Sequence, residues 1–208
     1  MKKVFAVILM VMSVVLANGQ AQAEEHTVKA KPVYGQDVMK MLYTFNAPIA
    51  QIRDFGEISE AIALASSHDP IFPYIEEGAQ LTAATLVAIA WHESRFQRSA
   101  IGDNGRSFGL YQIQPGVHKV DMRLLTLPRT ASAVAIDLVR KSAKWCFEHK
   151  RPWKEMLAWY AASSDAGAKH PKVIHQSVVR METMAKVYVA AFGEPALQQG
   201  VSKLRLSE

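Results

Sequence analysis

LTAATLVAIAWHESRFQRSAIGDNGRSFGLYQIQP, residues 81–115, decides how this chain is read. Its first eleven residues, Leu81 to Trp91, carry no charge, and their apolar side chains fall on every face of a helix. A helix that is apolar all round is enclosed by other elements rather than half exposed. Glu93 follows directly, at the end where the helix dipole is negative. Burial and the dipole both disfavour a carboxylate, so both raise its proton affinity, as a general acid working near neutrality requires. The competing explanation is an ion pair with Arg95, Arg98 or Arg106. Beyond Glu93 the sequence becomes a glycine-punctuated turn through Gly102, Gly105 and Gly109, the kind of loop whose backbone another chain can approach closely.

Working outward, helix signals dominate. Asp37 is a candidate cap for DVMKMLYTF, and Asp54 or Glu57 lies near the start of EISEAIALASS. Thr82 is a candidate cap for the helix that carries Glu93. Thr130 or Ser132 is placed to start a helix running to His149, and Pro152 fits the first turn of PWKEMLAWYAAS. Ile174, Val178, Met181, Ala185, Tyr188 and Phe192 recur at helical spacing before Gly193 and Pro195 supply a stop. No stretch alternates over strand length, LYQIQ being the nearest candidate. The expected fold class is mainly α, in one domain.

At 208 residues and 50% apolar content the chain has the numbers of an ordinary globular domain. Lys2 and Lys3 precede an apolar run, Val4 to Leu16, and a polar stretch ending Ala21-Gln22-Ala23. This is the pattern of a signal peptide cleaved after Ala23. The run is shorter than the roughly 20 residues that a membrane span needs. Periplasmic or secreted localisation is therefore expected, with no stable membrane insertion after cleavage. Glu24 to Gln97 holds 5 basic and 10 acidic residues, whereas Arg98 to Glu208 holds 17 and 9. A cationic C-terminal half suits an anionic polymer or membrane surface, or is simply a lysine-rich helical surface. No nucleic-acid motif is present. Cys146 is the only cysteine, which excludes an intramolecular disulfide, and its apolar surroundings point to a buried side chain.

Several motifs fail on spacing. His92-Glu93 begins like a zinc-protease helix, but the second histidine should fall at Phe96. The glycines do not form GxGxxG, and there is no GxSxG elbow or P-loop lysine. Asp103-Asn104-Gly105 lacks the last ligand of a calcium loop and reads as a turn. Neither metal nor cofactor is expected.

What remains resembles the soluble lytic transglycosylases of the lysozyme-like superfamily. Glu93-Ser94, with Phe96 close behind, matches the first motif of that family, and Gly109-Leu110-Tyr111-Gln112 matches the second with Tyr for Met. Leu157-Ala158-Trp159-Tyr160-Ala161-Ala162 matches the third with Ala161 in place of asparagine. The similarity is expected over residues 76–190. The resemblance implies a lysozyme-like fold and cleavage of the β-1,4 bond between N-acetylmuramic acid and N-acetylglucosamine in peptidoglycan, closing a 1,6-anhydro ring.

Glu93 would act as acid and then as base, and the substrate's own 2-acetamido group would replace the second carboxylate of most glycosidases. The resemblance makes Ser94 and Tyr160 catalytic supports, Tyr160 by orienting the acid. Gln112, Tyr111, Gly109 and Leu110 become the substrate-binding loop. Asp103, and more distantly Asp121, are the candidates for a second carboxylate if the enzyme is instead a hydrolytic lysozyme. Trp91, Trp145, Trp153 and Trp159 are either sugar platforms or core.

The expected organisation is a signal peptide at 1–23, a mobile lead at 24–36, accessory helices at 37–75, the catalytic domain at 76–192 and a tail at 193–208. Peptidoglycan strands are the expected partner, and secretion, conjugation or pilus machinery is a further candidate. A decayed, glycan-binding component of such a machine is the rival from outside the enzymes.

Overall fold

A computed structural model describes residues 30–46 and 54–206, and the signal-peptide pattern at 1–23 lies outside them. The described chain is mainly helical, as expected. Its elements begin with α1 (Gly35–Leu42), α2 (Phe55–His68) and α3 (Gly78–Ser94). A hairpin follows, β1 (Ile101–Gly102) pairing antiparallel with β2 (Ser107–Phe108). Next come α4 (Pro115–His118), a 3-10 turn (Met122–Thr126) and α5 (Pro128–Glu148). A second 3-10 turn (Trp153–Glu155) leads to α6 (Ala158–Ala162), α7 (Asp165–Ala168), α8 (Pro171–Phe192) and α9 (Glu194–Leu206). Among the described residues no helix is long and apolar enough to cross a membrane.

Helix α3 is the axis of the core. Leu81 and every residue from Thr82 to Ala90 are buried, because α1, α2, α5 and α8 all pack against it. The uncharged stretch from Leu81 to Ala90 therefore has the enclosed position its composition demands. Truncating one of its large side chains, such as Leu86 or Ile89, would cost about 2–5 kcal/mol. The helix ends abruptly: Arg95 and Phe96 both take left-handed backbone angles, at φ 54° and 64°. Such angles cost a non-glycine residue about 1–2 kcal/mol each. Burial of the Phe96 ring among Phe45, Phe55 and Trp91 offsets that cost. The aromatic anchor thus fixes where the chain leaves the helix, and with it the position of Glu93.

Several expected helix starts are corrected. Asp37 is the third residue of α1, and its carboxylate accepts the Tyr34 N–H at 3.3 Å, closing a capping box. Thr82 lies inside α3, which starts at Gly78. Its buried hydroxyl donates to the Gly78 carbonyl at 2.7 Å and accepts the Ile71 N–H at 2.8 Å. Helix α5 starts at Pro128, with the fixed φ of proline suited to the first position. Ser132 is one turn in and buried. PWKEMLAWYAAS is not one helix but a 3-10 turn and α6, because the buried Ser142 hydroxyl captures the segment. It donates to the Met156 carbonyl at 2.5 Å and accepts the Tyr160 N–H at 2.9 Å.

LYQIQ forms no strand. It is a turn closed by one bridge between Phe108 and Ile113. The lead expected to be mobile is tethered over its described end. Val33 is buried and exchanges two hydrogen bonds with the Ser67 hydroxyl, and Lys31 N–H donates to the Glu76 carbonyl. Cys146 is buried, as its surroundings predict.

Candidate active site

Glu93 lines a cleft of about 220 Å³, together with Asp103, Gln112, Tyr160, Ala161 and Arg180. The end of α3, the hairpin, the GLYQ turn, α6 and α8 therefore meet at one place. The GLYQ turn is brought to the acid by its backbone. Gly109 sits at φ 77°, and a Cβ there would come within 2.1 Å of the Leu125 carbonyl oxygen, so only glycine fits. Ser94, buried beside Glu93, donates to the Leu110 carbonyl at 2.9 Å and lies 3.1 Å from the Ala90 carbonyl. Its hydroxyl ties helix to turn and is committed to the protein. Leu110 is fully buried. The Gln112 amide donates to the Ala100 and Gly109 carbonyls at 3.2 and 3.0 Å, holding the turn together. Its Oε1 packs against Gly102, where an added Cβ would lie 2.1 Å from it and the amide would have to shift.

Two aromatic roles are corrected. Tyr111, expected to bind substrate, borders the cleft but is only 1% exposed, and its hydroxyl pairs with Ser132 at 2.8 Å, because Tyr in place of Met needs a polar partner in the core. Tyr160 does reach the cleft, but its hydroxyl donates to the Tyr111 carbonyl at 2.7 Å rather than to Glu93. Burial and the neighbouring Glu93 hold its pKa well above the usual value, so it stays a neutral donor. None of the four tryptophans lines this cleft. Trp91 stacks on Phe45 and carries Arg95 over its face, Trp145 is buried against His149, and Trp153 packs on the core. Trp159 donates to Asp165 at 3.1 Å.

The arginine partner expected for Glu93 exists but is not one of the three nearby in sequence. Arg180 Nη2 donates to Glu93 Oε1 at 2.5 Å, with both side chains largely shielded. Arg95 lies on Trp91, Arg98 pairs with Asp54 and Glu57, and Arg106 donates to the Asp103 carbonyl. Burial raises the Glu93 pKa above the usual carboxylate value. Arg180 pulls it back by charge and hydrogen bond, Asp103 pushes it up, and the net direction is upward. The upward direction agrees with the sequence argument, and the opposing cation is what that argument lacked.

Asp103 stands in the same cleft, held by the Ser107 hydroxyl and, at 3.4 Å, by the Gln114 amide. Asp121 is elsewhere: it caps the first 3-10 turn by accepting the Arg123 N–H at 2.9 Å. Ala161, where the resemblance expects asparagine, also lines the cleft. Sequence reasoning missed Arg180, Gln176 and His118, which also line the cleft. The i, i+4 spacing of Gln176 and Arg180 on one long helix is the only signal they offer. The structure brings together Glu93, Asp103, Tyr160 and the GLYQ turn, and leaves out Asp121 and the tryptophans. No group of three or more His, Cys, Asp or Glu residues among the described residues is placed to hold a metal ion.

Compared with family models, residues 71–166 match the transglycosylase SLT domain. The match contains Glu93, the GLYQ turn and Tyr160, and ends before Arg180. No curated protein and no solved structure gave a match.

Proposed function

We propose that this chain, whose residues 71–166 match the transglycosylase SLT domain, is a peptidoglycan lytic transglycosylase in which Glu93 serves first as acid and then as base. The observation that carries the reading is the position of Glu93, a shielded carboxyl of raised pKa at the end of a buried helix, open to a cleft. A carboxyl whose proton affinity is raised by burial can give its proton to the glycosidic oxygen as the bond to the muramoyl C1 breaks. The acetamido carbonyl oxygen of the same sugar bonds to C1, and the N-acetylglucosamine side departs as the alcohol. Glu93, now a carboxylate, takes the proton of the muramoyl 6-hydroxyl as that oxygen attacks C1 and displaces the acetamido oxygen. The product is the 1,6-anhydro sugar, no water is consumed, and Glu93 ends protonated as it began.

Such a substrate lies outside the cytoplasm, so the reading requires export. The signal-like pattern of Lys2, Lys3 and Val4 to Leu16 supports it. A hydrolytic lysozyme is the second reading, and the observation that favours it is Asp103 in the same cleft. Against it, that carboxylate is already engaged by Ser107 and Gln114.

Mass spectrometry of digested glycan separates the two. The transglycosylase releases a product lighter by one water, and Glu93→Gln lowers its release by at least about 1,000-fold, as loss of a general acid with no substitute does. Exclusively hydrated product would replace this reading with the lysozyme. Unchanged cleavage by Glu93→Gln would remove Glu93 as the acid.

A further inference from the structure

The resemblance assigns the orientation of the acid to Tyr160, whose hydroxyl is spent on the Tyr111 carbonyl. The group that does reach the carboxyl is Arg180, on a helix outside the residues that match the family model. Resting on the reading of Glu93 as the acid, we propose that Arg180 is the positioning residue of this site. It fixes Glu93 through Oε1, leaves Oε2 for the glycosidic oxygen, and balances the charge that remains once the proton has gone.

The two helices are built to make this contact. Arg180 and Thr183, three residues apart, share one face of α8, and they meet two consecutive residues at the end of α3. His92 pairs with the Thr183 hydroxyl at 2.9 Å while Glu93 takes Arg180. Ser177, three residues before Arg180, accepts the Leu157 N–H at 2.9 Å and donates to the Lys154 carbonyl at 3.0 Å. It thereby locks α8 to the segment that leads into α6. One helix face thus sets the acid and the loop that carries Tyr160 in a common frame.

The form of the ion pair matters. A two-pronged arginine–carboxylate pair would occupy both oxygens and take the acid out of service. Here a single Nη2–H contacts Oε1, and Oε2 accepts no protein hydrogen bond among the described residues. Arg180 is 8% exposed, and its Nε is buried with no protein partner, so the guanidinium makes no second ion pair among the described residues.

The charged and titratable groups around Glu93 come from every neighbouring element. They are Arg180 on α8, Asp103 at the hairpin, Tyr160 on α6, Tyr111 in the turn, His92 and Arg95 at its own helix end, and His118 on α4 across the same cleft lining. Tyr111 and Tyr160 stay neutral, and burial with two nearby arginines keeps His92 neutral above about pH 4. Within this set Arg180 is the cation in hydrogen-bond contact with the carboxyl.

The test is an NMR pH titration of the Glu93 carboxyl in full-length protein labelled with carboxyl-13C glutamate, assigned with Glu93→Gln. Arg180→Met is expected to move the Glu93 titration to higher pH. It should lower kcat for glycan cleavage about 100-fold with KM nearly unchanged, the cost of a misplaced catalytic group. Arg180→Lys should restore part of both. If Arg180→Met does not fold, Arg180→Gln, a neutral hydrogen-bond donor, carries the same expectation. A Glu93 titration unmoved in a folded neutral variant overturns the proposal. A titration that moves in a protein whose wild type releases no anhydro product upholds the pairing and refutes the assigned reaction instead.

Discussion

Tyr160→Phe separates two roles that a tyrosine beside a catalytic acid can have. In this structure the hydroxyl holds the Tyr111 carbonyl at 2.7 Å and makes no hydrogen bond to Glu93. Removing it deletes one hydrogen bond and leaves a carbonyl of the buried GLYQ turn without its donor, a loss of about 1–3 kcal/mol. The carbonyl lies near a cleft that water can enter, so the lower half of that range is expected. In a chain of this size each kcal/mol lowers Tm by about 2–4 °C, which gives a drop of roughly 2–8 °C. Thermal unfolding by circular dichroism reads that shift. Activity should fall with the loosened turn. The pH profile of cleavage should keep its shape, because a phenol that stays neutral and does not touch the acid contributes no charge to it. A profile displaced to higher pH with Tm unchanged would mean that the hydroxyl serves Glu93 after all, and the geometric argument would fail.

Two further predictions follow from the same frame. Gly109→Ala places a methyl group 2.1 Å from the Leu125 carbonyl oxygen at φ 77°. The expected cost is about 2–4 kcal/mol in urea unfolding, from backbone strain and displacement of the 3-10 turn. Unaltered stability would show that the turn can move freely. His92 has its pKa lowered to about 4 by burial, Arg180 and Arg95, against an unfolded value of about 6.5. The unfolded chain therefore binds the proton first as pH falls. The stability His92 allows is complete above about pH 6.5 and is lost on acidification towards its folded pKa of about 4. His92→Gln, which can still pair with Thr183, should flatten that part of the pH–stability curve. A curve of identical slope would refute the assignment.

The fold was legible where local chemistry is decisive. The uncharged run Leu81 to Trp91 specifies an enclosed helix, and the spacing of Ile174 to Phe192 specifies an amphipathic one. Helix starts were less legible, because Thr82 and Ser132 have the chemistry of caps but use their hydroxyls inside the core. Neither local pattern nor propensity encodes that Ile71 or Tyr111 would be the partner. At the site, the motif residues lying together in sequence were found together in space. Arg180 lies 87 residues from Glu93, and its i, i+4 spacing from Gln176 does not by itself distinguish it from the other arginines. Its role exists only through the packing of α8 on α3.

Asp103 shows how the same packing alters the reading of a residue that sequence had identified. As a turn residue it is well explained: its backbone takes φ 49°, which aspartate tolerates, and its carboxylate is bonded to Ser107 and Gln114. The turn also delivers its charge to the cleft, where it raises the proton affinity of Glu93 while Arg180 lowers it. Those two opposing charges meet a carboxyl that burial already biases towards its neutral form. An acid governed by burial alone would be slow to release its proton, and one governed by Arg180 alone would not hold it near neutrality. With the cation on one oxygen and burial with Asp103 opposing it, the net result is a raised proton affinity at Glu93, the direction that the first, proton-donating step of the proposed cycle requires.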